Sequence, residues 1–151
     1  VFAPPFTGMA PSHVLVPLDG SPLADEALVH ALETFDCRTT VLNVVQPLDA
    51  SMSEGGVLDA GEARRADARE RANTLVDRAE RRAAEADRRI ETAVETGDPA
   101  DVILAYVDAH DVDHVVMGGH GGDRSELARR LLGTVATAVV GEAAVTVTVV
   151  R

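Results

Sequence analysis

Short aliphatic or β-branched runs alternate with helix-start signals along most of this chain, and that alternation limits its fold more than any other feature. "HVLVPLDG", His13 to Gly20, reads as a buried strand closed by a turn. A helix start follows at once, with Ser21 to cap, Pro22 at the first helical position and Asp25 and Glu26 in the first turn. Ala24, Ala27, Leu28, Ala31 and Leu32 supply its apolar face. "TTVLNVVQPL", Thr39 to Leu48, is a second strand, and "DASMSEGGVLDAG" after it reads as loop.

From about Glu62 to Arg89 the spacing predicts one long amphipathic helix. Ala72, Leu75, Val76, Ala79, Ala83 and Ala86 share one face, and the pairs Asp67/Arg71, Asp77/Arg81 and Glu85/Arg89 sit at i,i+4. A third strand is expected with Ile90, Thr92 and Val94 on one face, then a helix capped by Asp98 with Pro99 at its first position. "DHVVMGG" is a fourth strand, "GTVATAVVGEA" a fourth helix, and "AAVTVTVVR" a fifth strand alternating Val145, Val147 and Val149 with Thr146 and Thr148. Strand–helix alternation of this kind implies an α/β, Rossmann-like, doubly wound parallel sheet with helices on both faces. Residues 13–151 are expected to form that single domain, with 1–12 as an N-terminal extension or expression remnant.

Charge narrows the function classes. All 14 basic residues are Arg, 25 are acidic, and the formal charge is -11. Such a chain is poorly suited to a phosphate backbone, so no nucleic-acid partner is expected. Even the predicted long helix, with nine Arg and seven acids, reads as a solvated, ion-paired face. The acidic, lysine-free surface fits a salt-adapted, halophilic protein, and the Arg bias fits a GC-rich genome equally well. The single cysteine, Cys37, has no internal partner for a disulfide. With no apolar run near the ~20 residues of a membrane span, the expectation is a cytoplasmic protein with no membrane partner.

Glycines cluster where such a sheet binds ligands, beyond the carboxyl ends of its strands. "VVMGGHGG" puts Gly118, Gly119, Gly121 and Gly122 after the fourth strand, and Gly133 with Thr134 opens the next helix. Bare backbone can approach a ligand closely, and a helix N-terminus favours an anion, so these residues suggest a phosphate cradle. The alternative is a tight surface loop. No lysine exists to complete a Walker sequence or a receiver-type phosphoacceptor site, and Arg124 stands where the dinucleotide fingerprint needs a third glycine. His120, Arg124, Arg129 and Arg130 flank the cradle as weaker phosphate candidates. No histidine spacing suits zinc, no carboxylate cluster is preformed, and no nucleophile has an adjacent base, so no catalytic residue is assigned.

"HVLVPLDGSPLADEAL", "VLNVV", "VETGDPADVILAYVDAHDVDHVVMGGHG" and "LLGTVATAVV" together resemble the universal stress protein family over almost all of His13 to Arg151. The resemblance implies a five-stranded parallel sheet of order 3-2-1-4-5 and a homodimer, formed here through the last strand, Val145 to Val150. It also implies a stress-response role in which nucleotide occupancy changes contacts with an unidentified protein partner. ATP-binding members carry Gly-x2-Gly-x9-Gly-Ser/Thr around the phosphates and ribose. Gly118 and Gly121 match the first pair and Gly133-Thr134 the last, although this chain holds one or two additional residues between them. Asp19 and Val44 match the family's adenine contacts, and Asp19 has the competing role of bracing the "DGS" turn. ATP, accompanied by magnesium or manganese, is thus the implied ligand. A nucleotide-free dimeric scaffold and a slow ATPase are the alternatives.

Overall fold

The computed structural model describes residues 10–47, 58–120 and 131–151. Their elements run β1 (His13–Pro17), α1 (Pro22–Thr34), β2 (Arg38–Val45), α2 (Leu58–Glu85), β3 (Glu91–Thr96), α3 (Pro99–Ala109), β4 (His114–Gly118), α4 (Thr134–Glu142) and β5 (Thr146–Val150). The five strands form one parallel sheet in the order β3-β2-β1-β4-β5. The expected doubly wound architecture is present. No helix among the described residues is long and apolar enough to cross a membrane.

Each central strand feeds two cores because successive side chains point to opposite faces. Val14 and Val16 of β1 pack with Ala24, Ala27, Leu28, Ala31 and Leu32 of α1 and with Ala79 and Ala83 of α2. Leu15 packs on the other face with Leu42, Ile103, Val107, Val115 and Val139. The alanines of its buried face, Ala24, Ala27 and Ala31, let α1 lie close to the sheet, with Ser21 Oγ accepting from Ala24 N at its start. Asp98 caps α3 in the same way, accepting from Asp101 N.

The long helix departs from its predicted bounds at both ends. It starts at Leu58, inside the stretch read as loop, and ends at Glu85, where Asp87 turns the chain with φ 55° and Arg88 N donates to Ala83 O. Of the predicted face, Ala72, Ala79 and Ala83 are buried and Leu75 packs on the core, while Ala86 lies past the helix end. The i,i+4 pairs do not close as ion pairs. Arg78 and Arg82 instead reach Asp25 of α1, at 2.7 and 3.7 Å. Strand β2 stops at Val45, two residues before the Pro47 expected to end it, and β3 begins at Glu91, so Ile90 packs on the core from just outside it. Val94 is 43% exposed because β3 is an edge strand with only β2 beside it.

The opposite end of the sheet from the glycines is held by polar contacts. Asp113 accepts from Ser12 N, Ser12 Oγ and His13 N, tying the start of β1 to that of β4. Burial on its own would raise the Asp113 pKa, but these bonds to the charged form outweigh it and hold the carboxyl low. His114 is 9% exposed, lies 2.8 Å by Nε2 from Thr148 Oγ1, and has its ring 4.7 Å from that of Phe35. Burial lowers its pKa below the ordinary 6.5. A group whose folded pKa is depressed contributes stability above its unfolded pKa and loses it as pH falls through the folded one. Thermal midpoints should therefore begin to fall as pH drops below about 6.5, before the carboxylates titrate. The decline between pH 7 and 5 should be shallower in His114→Asn, and equal slopes would assign the acid limb to other groups.

Candidate functional site

The strands β1, β2 and β4 end around a cavity of about 270 Å³ that lies between the β1–α1 turn and the start of α4. Leu42, Val44, Ile103 and Met117 give it apolar walls, and Asp19, Ser21, Gln46, His120 and Thr134 give it polar ones. A mostly apolar cleft with a few convergent polar groups is the usual form of a small-molecule site.

The turn after β1 is built to hold Asp19 in place. Asn43, 6% exposed, donates from Nδ2 to Leu18 O at 2.7 Å, and Leu18 N donates to Leu42 O, so the end of β1 is fixed to β2. Asp19 Oδ1 then accepts from Ser21 N at 2.9 Å, while Gly20 takes the left-handed φ of +86° that closes the turn. Asp19 thus braces the turn with its carboxylate and also lines the cavity.

On the facing side, α4 begins with Gly133 as its cap, and among the described residues no side-chain hydrogen bond caps its first turn. Thr134, Val135 and Ala136, the first three helical residues, all line the cavity. Helix N-termini left without a side-chain cap present N–H groups and the positive end of the helix dipole, which together favour an anion. Thr134 adds a hydroxyl. Among the described residues no group of three His, Cys, Asp or Glu is placed to hold a metal ion.

The glycines separate by role. Gly118 lines the cavity, but a Cβ there would lie 3.0 Å from Leu23 C and 3.1 Å from Ala24 N, so its bareness lets α1 pack against β4. Gly119 N donates to Val150 O at 2.8 Å and Gly119 O accepts from Gly133 N at 2.6 Å. Its backbone therefore joins β5 to the sheet and anchors the start of α4, with its N–H already used. Gly121 and Gly122, like Arg124, Arg129 and Arg130, lie outside the described residues.

A family model described as the universal stress protein family matches residues 11–151. The chain belongs to that family. Among solved structures, a protein of the universal stress protein family from Burkholderia pseudomallei superposes with a TM-score of 0.72 at 22% identity, covering 92% of this chain and 95% of that one. A universal stress protein family protein from Arabidopsis thaliana, with AMP bound, has a TM-score of 0.67 at 22% identity, covering 93% and 91%. The universal stress protein from Archaeoglobus fulgidus, in complex with dAMP, gives 0.65 at 18%, covering 93% and 98%. Among curated proteins none matches the chain.

Of the lining residues, Leu42, Ile103, Met117, Ser21 and Gln46 were not assigned to a ligand site from sequence. Leu42, Met117 and Gln46 stand there only within predicted strands, Ile103 only within a predicted helix, and Ser21 only as a helix cap. Ending at the same sheet rim is the one signal they share. His120, a weak loop candidate by sequence, lines the cavity with both ring nitrogens shut off from solvent and without a hydrogen-bond partner among the described residues. Each such unmade bond costs roughly 1–3 kcal/mol.

Proposed function

We propose that this member of the universal stress protein family binds an adenine nucleotide, ATP among them, in the cavity at the ends of β1, β2 and β4. The observation that carries this reading is the uncapped N-terminus of α4 opening onto an apolar cleft that Asp19, Val44 and Gly118 also line. The apolar walls suit a planar base, and the α4 amides with Thr134 suit a phosphate. Relatives of the same fold with AMP or dAMP bound support the ligand class. Asp19 is assigned a polar contact to the base or ribose and Gly133-Thr134 the phosphates. Asp19 is also the one carboxylate among the described lining residues that a divalent ion arriving with ATP would meet. Gly121 and Gly122 belong to the same proposed cradle, and the role is a regulatory one in which occupancy alters contact with a protein partner.

Calorimetry with AMP and ATP tests the reading. Asp19→Ala should weaken binding about tenfold or more, the scale of one lost hydrogen bond to a charged group. Unchanged affinity in a folded variant would move the ligand elsewhere. No binding by the parent chain would favour the nucleotide-free scaffold.

Homodimerisation through β5 is part of the same proposal. Because Gly119 N donates to Val150 O, the two-residue alternation turns the main-chain groups of Thr146 and Thr148 toward β4 as well. Val147 and Val149 then direct theirs to the open edge of the sheet. An edge of this kind is a template for pairing with a second copy. Val147→Pro removes one outward N–H without touching the bonds to β4, and should give folded monomers by light scattering. A monomeric parent chain, or a variant that stays dimeric, would exclude this interface.

A further inference from the structure

His120 sits against the start of α4, since a Cβ on Gly133 would lie 3.2 Å from His120 Cα. Its imidazole offers one donor and one acceptor when neutral and two donors when protonated, yet both nitrogens are buried and unpartnered among the described residues. Buried polar groups normally find a partner, so an orphaned ring beside an anion-favouring helix end points to a group that enters the cavity. The charges around it narrow the choice. The β1–α1 turn presents Asp19, the uncharged Gln46 follows β2, α3 presents Pro99, and the first turn of α4 carries no acid or base. Arg151, at the end of β5, packs beside Gly119 and does not line the cavity. Among the described lining residues, then, only Asp19 and His120 titrate, and a phosphate brought in beside the Asp19 carboxylate finds one side chain able to become positive.

We propose that His120 hydrogen-bonds the phosphate of a bound adenosine nucleotide as the imidazolium, so that binding takes up a proton and strengthens as pH falls. The inference rests on the nucleotide reading above and adds a regulatory property to that site. A side-chain rotation turns a ring nitrogen toward the amides of Thr134 and Val135, where the phosphate sits. Opposite charge close by favours the charged imidazole, which couples occupancy to proton uptake.

Calorimetry of the full chain with AMP, at pH 8 and pH 6 and in two buffers of different ionisation enthalpy, counts the protons taken up. Adenosine is the phosphate-free control. AMP should bind several-fold more tightly at pH 6 than at pH 8, while adenosine changes little. His120→Asn should still bind AMP but lose the proton uptake attributable to the ring, leaving only the phosphate's own titration. Equal proton uptake in the parent and His120→Asn, or equal pH dependence for adenosine, overturns the proposal while leaving nucleotide binding intact. If neither ligand binds at any pH, the nucleotide reading fails and this one with it. Should the variant not fold, NMR titration of the His120 ring in the parent decides, because a midpoint unmoved by saturating AMP overturns the proposal.

Discussion

Leu15→Ala should lower the unfolding free energy by about 2–5 kcal/mol, the range for removing a fully buried leucine side chain. Leu15 is completely inaccessible to solvent at the centre of β1, paired with Thr40 of β2 on one side and Val115 of β4 on the other. Its side chain packs among Leu42, Ile103, Val107 and Val139, in a layer made mostly of short aliphatic groups. Small residues have little reach with which to refill a hole, so the cavity left behind should collapse poorly. At fixed protein concentration the thermal midpoint should drop by on the order of 10 °C. A loss below 1 kcal/mol in urea unfolding would mean that the core repacks.

Arg88→Ala should cost roughly 1.5–3 kcal/mol, the scale of charge-assisted hydrogen bonds removed from a partly buried site. Arg88 Nη1 donates to Leu32 O at 2.7 Å and Phe35 O at 2.6 Å, and Nη2 donates to Cys37 O at 3.0 Å. The guanidinium thus satisfies two carbonyls at the C-terminal end of α1 and one at the lead into β2, where the helix dipole also favours a cation. Arg88→Lys should recover only part of the loss. An ammonium on a flexible stem does not present the planar fork that meets three carbonyls at once. Because Cys37 is in contact with the same core, denaturant unfolding of Arg88→Ala should be accompanied by faster thiol labelling at Cys37. Equal stability of Ala, Lys and parent chains would show that water replaces the guanidinium without loss.

Much of this architecture was legible because its signals are local. Ser21-Pro22 and Asp98-Pro99 mark helix starts through bonds that close within three residues, and the alternation of Val14, Leu15 and Val16 is a property of any strand buried on both faces. The candidate site was legible in outline for a related reason. Asp19, Gly118, Gly133 and Thr134 stand at element ends, and a parallel sheet gathers the ends of its strands on one rim.

Local signals therefore set the order and kind of the elements, together with the residues at their ends. Which of these chemically similar residues meet was settled by packing between distant parts of the chain. Arg88 reads in the sequence as one more Arg on a solvated helix face, and it becomes a cap for another helix because the chain turns at Asp87 and brings it beside α1. Gly118 reads as phosphate-binding backbone, and proves to be where the main chain of α1 comes within 3.1 Å of a missing Cβ. His120 reads as a weak phosphate candidate in a loop, and its ring nitrogens are closed off from solvent beside Gly133, thirteen positions later. In each case the deciding contact joins residues far apart in the chain, and its free energy depends on burial and distance. Those quantities exist only once the sheet has assembled and packed its helices.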